Sequence, residues 1–515
     1  MTDASAEPAV DVIVVGGGSA GSVLAARLSE DDGRRVLLLE AGPVPRRADA
    51  FPAEVLDAGR VAGARAGLPV NWRIPGELTP GRPFVSTRGR ILGGSSATNG
   101  GYFIRPRLAD FAEWARAGGD AWSYEGALPL LVGLERDLDF GALAEHGDAG
   151  PITVARDPLE HPAARAFAAA SAELGFPADP DKNAQGRPGF GPVPSNAVGG
   201  VRQNAGLVFV LPALARANLT VRGDTLVTRV LLEHGRAVGV VARPANGSGS
   251  GGERVIRAGQ VVLAAGAIRS PQLLLLSGIG PRDELAAHGL PVAVHAPGVG
   301  TALSDHPQLL MGWRPREAVP APSGRWMGGV LHAGPAGGEL EVLQSLRPMS
   351  EVTGSATSDD VLPLLVSVTT PARTGRLRLR SADPGDSPLL DYRYLGSADD
   401  RARWRDATRL VAGVLDAAAI RADARATTAP EASALADDDA LDAWVIARLG
   451  TAMHSAGTAS FAGPSPVVDP GGRVLAVPGL RVGDASILPA APRRGTAVAA
   501  LLAGEIVAAA MRSDG

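Results

Sequence analysis

The chain has 515 residues, a formal net charge of −4 and an apolar content of 45%. This length predicts two domains or one elaborated domain, and the small net charge argues against a surface for nucleic acid or another polyanion. The absence of cysteine excludes disulfides, thiolate metal sites, cysteine nucleophiles and cysteinyl-flavin links.

The N-terminus and the apolar runs predict no targeting or membrane segment. Met1 to Val10 lacks the basic and apolar regions of a signal peptide. The longest apolar runs are of strand length or are interrupted by glycine and charge, so no membrane span is expected. A cytoplasmic enzyme is the resulting expectation.

The first motif runs from Asp11 to Gly21 and predicts a dinucleotide site. It reads as strand, glycine turn and helix. Gly16 permits the turn, Gly18 lets backbone amides approach a pyrophosphate, and Gly21 allows close packing of helix on strand. The helix N-terminus would hold the phosphates through its free N–H groups and dipole. Glu40 ends the next strand, where a carboxylate accepts hydrogen bonds from ribose hydroxyls.

The composition of the next two segments also predicts that they lie close to a bound ligand. Pro43 to Pro83 is rich in Gly, Pro and Ala and is expected to be a long irregular lid or covering loop. Thr87 to Phe103 carries paired glycines and serines, which allow backbone to approach a ligand and supply small donors.

The remaining elements predict a discontinuous nucleotide domain with an inserted second domain. Gln260 to Gly280 reads as a second strand, turn and helix, and Leu309 to Tyr394 alternates like antiparallel strands with one wet face. Arg401 to Leu449 reads as mainly helical. The predicted boundaries are 1–155, 196–305 and 452–515 for the first domain, and 156–195 and 306–451 for the substrate domain.

Several blocks resemble the glucose–methanol–choline (GMC) oxidoreductases, which are FAD enzymes. Gly89 to Asn99 resembles their first signature and Gly266 to Gly280 their second. The other matching blocks follow in the family's order: Ser304 to Pro307, Gly375 to Pro384, His454 to Thr458 and Val482 to Ser486. Within the family, Asn99 to Phe103, Asp137 to Phe140 and Ala217 to Thr220 look most like the branch associated with mycofactocin.

The resemblance implies an α/β fold, with a Rossmann-like FAD domain similar to glutathione reductase and an inserted α+β substrate domain with an antiparallel sheet. It also implies which residues contact FAD. They are Gly16, Gly18, Ser19, Gly21, Glu40, Arg90, Gly94, Ser95, Ser96, Asn99, Gly100, Val227, Asp484 and Ala485. Some family members attach flavin through a histidine just before the asparagine. Thr98 stands there, so noncovalent FAD is predicted.

The expected reaction is oxidation of a small organic substrate, most simply an alcohol CH–OH. The flavin N5 takes a hydride and a protein base takes the proton. Imidazole suits the base because its ordinary pKa is near neutrality, and His454 lies in the family's active-site block. Oxygen, a quinone or a carrier protein could accept the electrons.

The other histidines are assigned less direct roles. His306 is expected to be structural, with a lesser prospect of touching substrate. Six more are expected at turns or solvated positions: His146, His161, His234, His288, His295 and His332. No pair has metal-ligand spacing, so no metal site is predicted.

The C-terminal block departs from the family pattern. Members usually place a second His or Asn opposite the first, and Ala497 occupies that position here. Losing such a hydrogen-bonding partner commonly costs on the order of hundredfold in rate. Thr496, Arg494 or Tyr102 could supply the contact, the substrate could need one base only, or the site could serve another reaction.

Two other functions therefore stay open beside alcohol oxidation. One is a GMC-derived lyase, or an enzyme of an unusual oxidative rearrangement or cyclisation in specialised metabolism, motivated by Ala497. The other is a flavin-binding protein without turnover, against which His454 and the intact flavin blocks argue.

Overall fold

The computed structural model describes residues 10–65, 67–245, 252–322, 324–334, 339–355, 359–372 and 374–514. The expectation that the chain begins without a signal peptide concerns residues 1–9, which lie outside these ranges.

A mainly parallel sheet, the first sheet, forms around the glycine-turn strand. Val10–Val15 pairs in parallel with Val36–Leu39 and with Arg254–Leu263. The apolar parts of these strands, Val12–Val15, Val36–Leu39 and Val261–Leu263, are buried because helices cover the sheet, as continuous apolar runs predict for parallel strands. In order, the sheet comprises Leu219–Arg222, Val36–Leu39, Val10–Val15, Arg254–Leu263, Arg236–Pro244 and Thr225–Glu233, and Leu480–Val482 also pairs with Arg254–Leu263.

An antiparallel sheet, the second sheet, is formed by the middle of the chain. In order it comprises Ala424–Thr427, Pro307–Pro315, Leu362–Val368, Leu340–Ser345, Met327–Ala333 and Phe190–Pro192, and Gly450–Thr451 also pairs with Pro307–Pro315. The prediction of one wet face is right for Arg376–Arg378, whose residues are exposed, buried and exposed in turn, and wrong for the strands from Met327 to Val368, which are buried on both faces. Helices pack on one face, and the other face lines an internal cavity.

A four-stranded sheet includes the last part of the predicted irregular loop. In order it comprises Arg376–Arg378, Leu389–Asp391, Asn71–Glu77 and Pro83–Gly89. The prediction that Pro43 to Pro83 lacks regular structure is therefore wrong for Asn71–Glu77. Pro75 and Gly76 weaken the strand signal, and the strand forms by pairing with Pro83–Gly89 on one side and Leu389–Asp391 on the other.

Three two-stranded pairs and the helices complete the described structure. The pairs are Ile279–Gly280 with Val294–His295, Glu135–Asp137 with Ile152–Val154, and Ala197–Val198 with Val201–Arg202. The α-helices are Ser19–Leu28, Ala53–Leu56, Ser95–Thr98, Leu108–Gly118, Tyr124–Leu134, Pro162–Glu173, Leu211–Ala213, Gly266–Leu276, Arg282–Ala287, Met349–Thr353, Ala398–Asp416, Ala418–Asp423, Ala432–Ala436, Asp438–Arg448 and Thr496–Ser513.

One helix has the length and apolar composition of a membrane span, but its setting is that of a core helix. Thr496–Ser513 packs against Ser19–Leu28, and 61% of its apolar window is buried. The mixed α/β fold agrees with the expectation, and so does the return of the chain's last strand, Leu480–Val482, to the first sheet. The domain boundaries and the cytoplasmic location stay predictions.

Candidate active site

A cavity of about 400 Å³ lies between the carboxyl ends of the parallel strands and the second sheet. Val15 and Leu39, the last residues of two neighbouring strands, line it, which is where open α/β sheets bind ligands. Most of the residues predicted to contact the cofactor also line it: Gly16, Gly18, Ser19, Glu40, Gly94, Ser95, Ser96, Asn99, Gly100, Val227, Asp484 and Ala485. Gly21 and Arg90 do not.

The glycine turn has the geometry that the sequence predicts. Gly16 has a φ of +102°, and a Cβ there would lie 2.7 Å from the Ala264 carbonyl oxygen. A Cβ on Gly21 would lie 1.8 Å from the Gly16 carbonyl oxygen, so Gly21 permits packing rather than ligand contact. At Gly18 the nearest atom would be 3.9 Å away, which leaves open space beside the helix N-terminus.

That helix N-terminus is free to bind an anion. Gly18 is the N-cap of Ser19–Leu28, and no side chain accepts hydrogen bonds from the first turn within the described residues. The turn also contains no acidic residue. The free N–H groups and the helix dipole therefore point toward the cavity, as phosphate binding requires.

Glu40 is buried at the cavity wall, and its carboxylate is held by backbone amides. One oxygen accepts a hydrogen bond from Gly17 N and the other from Gly42 N, each at 2.8 Å. Burial raises the pKa of Glu40 to about 7 despite these hydrogen bonds. Each oxygen keeps a second lone pair that a ribose hydroxyl could use.

The second glycine segment packs directly on the first. Gly94 has a φ of +52°, and a Cβ there would lie 2.6 Å from the Gly18 α-carbon. Ser96 Oγ donates to Gly93 O at 2.6 Å and accepts from Ala205 N at 3.0 Å. The cavity wall beyond these residues includes Thr98.

Two arginines pack against Trp72, a residue of the cavity wall that the sequence did not indicate as part of the site. The Arg269 guanidinium carbon lies 4.0 Å from the centre of a Trp72 ring, and the Arg90 guanidinium carbon lies 4.9 Å from it. Trp72 and Arg269 line the cavity. Arg90 therefore supports the wall through Trp72 rather than facing the cavity itself.

Asp484 fixes the opposite part of the wall. One carboxylate oxygen accepts from Gly266 N at 2.8 Å and from Ser270 Oγ at 2.5 Å. The other accepts from Ser486 N at 2.8 Å. Burial raises the pKa of this carboxyl against these hydrogen bonds. Asp484 thereby joins the turn at Gly266 to the C-terminal segment that lines the cavity.

His454 lies at the cavity and contacts a second histidine. Its Nδ1 is 2.9 Å from Nδ1 of His306, and the two rings are nearly perpendicular. Asp305 positions both, since one of its carboxylate oxygens accepts from His454 N at 2.8 Å and from His306 N at 2.7 Å. His306 is therefore in direct contact with the predicted base, a contact that the expected structural role did not include.

Both imidazoles are held neutral. Burial lowers the pKa of His454 to about 4, opposed by the nearby Asp305 and assisted by Arg88. Burial and the neighbouring His454 hold the pKa of His306 well below its usual value. A neutral His454 can accept a proton at Nε2 when its Nδ1–H donates to His306.

The segment before the C-terminal helix closes the site beside His454. A Cβ on Gly495 would lie 3.5 Å from His454 Nε2, so this nitrogen faces Gly495. Thr496 and Ala497 line the cavity, as does Tyr102. Of the three residues considered as substitutes for the missing second partner, Arg494 alone is absent from the cavity wall, and it is fully buried.

The prediction that His146 lies at a turn or a solvated position is wrong. This histidine is buried, and its ring nitrogens lie 2.8 Å from Glu135 and 2.8 Å from Asp181. Burial opposes its charge, but hydrogen bonds to Asp137 and these two carboxylates raise its pKa to about 11. One oxygen or nitrogen from each of Glu135, Asp137 and His146 falls within 4.8 Å of the others, a grouping of possible metal ligands that spacing did not indicate. Arg156 also pairs with Asp137 at 2.7 Å, so the cluster already contains compensating cations.

The prediction that His332 lies at a turn or a solvated position is also wrong. This histidine lies in the strand Met327–Ala333, is completely buried and approaches Glu341, with Nε2 3.2 Å from the carboxylate. Burial, together with nearby cations, holds its pKa well below the usual value. The remaining four, His161, His234, His288 and His295, are exposed or partly exposed.

Family models described as GMC oxidoreductase match residues 10–308 and 371–504. An uncharacterised GMC-type oxidoreductase of Rhodococcus erythropolis is 36% identical over 98% of this chain and 98% of its own length. The mitochondrial choline dehydrogenase of Homo sapiens is 33% identical over 93% of this chain and 85% of its own length.

Solved structures show the same fold. Pyridoxine 4-oxidase from Mesorbium loti has a TM-score of 0.88 at 30% identity, covering 98% of this chain and 99% of that one. Formate oxidase from Aspergillus oryzae has a TM-score of 0.89 at 23% identity, covering 99% of both chains.

Proposed function

This chain belongs to the GMC oxidoreductase family and is an FAD-dependent oxidoreductase, and we propose that it oxidises a small alcohol with His454 as the base. The observation that carries the proposal is the neutral His454 at the cavity, with its Nε2 beside Gly495 and its Nδ1 against His306. Among the relatives, choline dehydrogenase is named for an alcohol substrate, which agrees with this chemistry.

The residues of the cavity fit FAD. The uncapped helix N-terminus and the open space at Gly18 suit a pyrophosphate, and the remaining lone pairs of Glu40 suit a ribose. Val227 would contact the adenine, and Asn99 and Gly100 would lie beside the isoalloxazine ring. The chemistry that FAD supplies when bound is acceptance of a hydride at N5.

The protein's part is to take the hydroxyl proton and hold the alcohol. As the C–H bond breaks, the O–H proton moves to His454 Nε2 and the oxygen becomes a carbonyl oxygen. The positive charge then spreads toward His306, whose Nδ1 accepts from His454 Nδ1–H. Because Ala497 offers no hydrogen bond, Thr496, the residue next to it in the cavity wall, is the hydrogen-bonding residue at hand to hold the reacting oxygen.

A direct test is product identification. Purified enzyme with an artificial electron acceptor and a panel of alcohols should yield the matching aldehyde or ketone. If the substrate is instead converted to products at the same oxidation level as the substrate, the second candidate, a lyase or rearrangement enzyme, is favoured. Ala497, which removes the usual second partner from the cavity wall, is the observation behind that alternative.

We propose that FAD is bound without a covalent link. Thr98, at the position where some members carry a histidine, has a hydroxyl side chain that cannot form the imidazole link, and the chain has no cysteine. Acid precipitation of the purified enzyme should therefore release all of the flavin into the supernatant. Yellow colour that stays with the precipitated protein would contradict the proposal.

His306→Leu should slow reduction of the flavin by about 10- to 100-fold, because His454 Nδ1–H would lose its acceptor. His306→Asn keeps an acceptor and should recover much of the rate. The base is active when deprotonated, so a pKa of about 4 predicts a wild-type rate that is flat at neutral pH and falls only as the pH approaches 4. Stopped-flow measurements across pH check both expectations.

Two results would contradict this assignment of His306. One is equal rates for the leucine and asparagine variants at equal FAD content, since a purely structural role does not distinguish an acceptor from its absence. The other is an acid limb near the ordinary histidine pKa of about 6.5, which would mean that His454 titrates as if exposed.

A further inference from the structure

A row of four polar side chains crosses the cavity face of the second sheet. Gln308 pairs with Ser367, Ser367 with Glu341, and Glu341 with His332, so all four point to the same face. Gln308 and Glu341 line the cavity. Gln308 Nε2 donates to Ser367 Oγ at 3.0 Å. The next row on this face is apolar and includes Leu343 and Leu365.

Glu341 lies away from His454 along this row. Gly450–Thr451, just before His454, pairs with one side of Pro307–Pro315, and Leu362–Val368 pairs with the other. Glu341 belongs to the strand beyond that, roughly 10 Å from the strand of Gln308. A group bound at Glu341 would therefore be remote from the reacting carbon.

Tyr102 and Glu341 offer complementary groups at this remote position. Both line the cavity, and they interact electrostatically. The Tyr102 hydroxyl is buried beside the Glu341 carboxylate and makes no well-formed hydrogen bond within the described part of the chain. Glu341 has a close contact with His332 on one oxygen. A substrate hydroxyl placed here could donate to Glu341 and accept from Tyr102.

Arg494 sets the charge of this position from outside the cavity wall. It is completely buried, and none of its three guanidinium nitrogens has a hydrogen-bond partner among the described residues. Burial raises the pKa of Glu341 to about 6, and Arg494 is the strongest influence that keeps it from rising further. Lys182 and Arg107 add positive charge, and Asp179 pairs with Lys182 at 2.9 Å. Asp110 also faces Arg107 and is paired with Arg493 at 2.8 Å, whereas no carboxylate of the described residues pairs with the Arg494 guanidinium.

On the basis of the proposed alcohol oxidation, we propose that the substrate carries a second, uncharged hydroxyl group, which binds between Glu341 and Tyr102. The positive charge of Arg494 makes this subsite reject ammonium groups. The substrate class is therefore diols and other polyhydroxylated alcohols. A cation would be attracted by Glu341 but repelled by Arg494, Lys182 and Arg107, and it would lose its hydration in the buried wall. A hydroxyl needs no counter-charge and satisfies both partners.

The test compares three series matched in heavy-atom count on FAD-loaded enzyme without oxygen: straight-chain α,ω-diols, α,ω-amino alcohols and primary alcohols. Perturbation of the oxidised flavin spectrum gives the dissociation constant, and bleaching gives the rate of reduction. The diol of best length should bind about tenfold tighter than the matched primary alcohol, with the amino alcohol weakest.

Arg494→Met should invert the order of the charged and uncharged ligands. Without the guanidinium, Glu341 attracts the ammonium group, so the amino alcohol should bind at least about tenfold tighter than to the wild type. Arg494→Lys keeps the charge and should keep the wild-type order. In the double variant Glu341→Gln with Arg494→Met the gain for the amino alcohol should vanish, which assigns it to the carboxylate.

The two proposals fail in different ways. If amino alcohols bind the wild type as tightly as diols, or if Arg494→Met leaves the order unchanged, the subsite is overturned even when alcohols bleach the flavin. If Arg494→Met does not fold, Glu341→Leu in the wild type must abolish the preference for diols over primary alcohols, and a retained preference overturns the subsite. Absence of bleaching by every compound, with the binding order as expected, overturns alcohol oxidation alone.

Discussion

Replacing His454 with alanine is expected to slow reduction of the bound flavin by an alcohol by about 10²- to 10⁴-fold, with the FAD content unchanged. The imidazole lies at the cavity wall, is neutral at ordinary pH, and faces Gly495 with its Nε2. Its loss removes the proton acceptor without touching the glycine turns that would hold FAD. Anaerobic stopped-flow absorbance of the flavin measures the effect.

His295→Ala is the matched control for this variant. His295 is exposed in a short strand away from the cavity and should tolerate alanine without change of rate. If His454→Ala reduces flavin at the wild-type rate, His454 is not the base. If both variants lose activity together with FAD, the measurement reports stability and the FAD-normalised rate must be compared instead.

Gly18→Asp is expected to weaken FAD binding by more than about 100-fold while the protein stays folded. Gly18 has ordinary backbone angles, and a Cβ there would meet nothing closer than 3.9 Å. Aspartate is a favourable N-cap, so the carboxylate would bind the free amides of Ser19–Leu28 and occupy the position proposed for the pyrophosphate. Flavin fluorescence titration of the apoprotein measures the affinity, and thermal unfolding checks the fold.

Gly133→Asp gives the comparison for an added carboxylate. Gly133 is exposed in Tyr124–Leu134, and a Cβ there would meet nothing within 4 Å. This variant should bind FAD like the wild type. Retained FAD affinity in Gly18→Asp would show that the pyrophosphate does not lie at this helix N-terminus.

The glycine turn could be predicted from sequence because its determinants are local. Gly16 needs a positive φ, and Gly21 needs space against the Gly16 carbonyl, only a few residues away. Hydrophobic runs likewise predicted the parallel strands and the strand, turn and helix that begins near Gln260. The family blocks added the order of these units along the chain.

The contacts around His454 could not be predicted in the same way. His306 and Asp305 are nearly 150 positions away in sequence, and only the pairing of Pro307–Pro315 with Gly450–Thr451 brings them together. The polar row through Glu341 depends on the register of four antiparallel strands, which no single strand encodes.

The errors have a common physical cause. His332 and His146 were assigned to solvent because a single histidine carries no sign of its burial, and their carboxylate neighbours come from other segments or other turns. The wet face expected of the second sheet is the face that lines the cavity. That face carries one polar row, through Ser367 and Glu341, beside an apolar row that includes Leu343 and Leu365.

The most direct test of alcohol oxidation is the anaerobic absorption spectrum of the FAD-loaded enzyme before and after addition of primary and secondary alcohols, diols included. We expect the oxidised-flavin bands to bleach with at least one alcohol, and the bleaching to be strongly slowed in His454→Ala. Flavin that is bound but stays oxidised with every alcohol would contradict alcohol oxidation and favour a site rebuilt around Ala497 for another reaction.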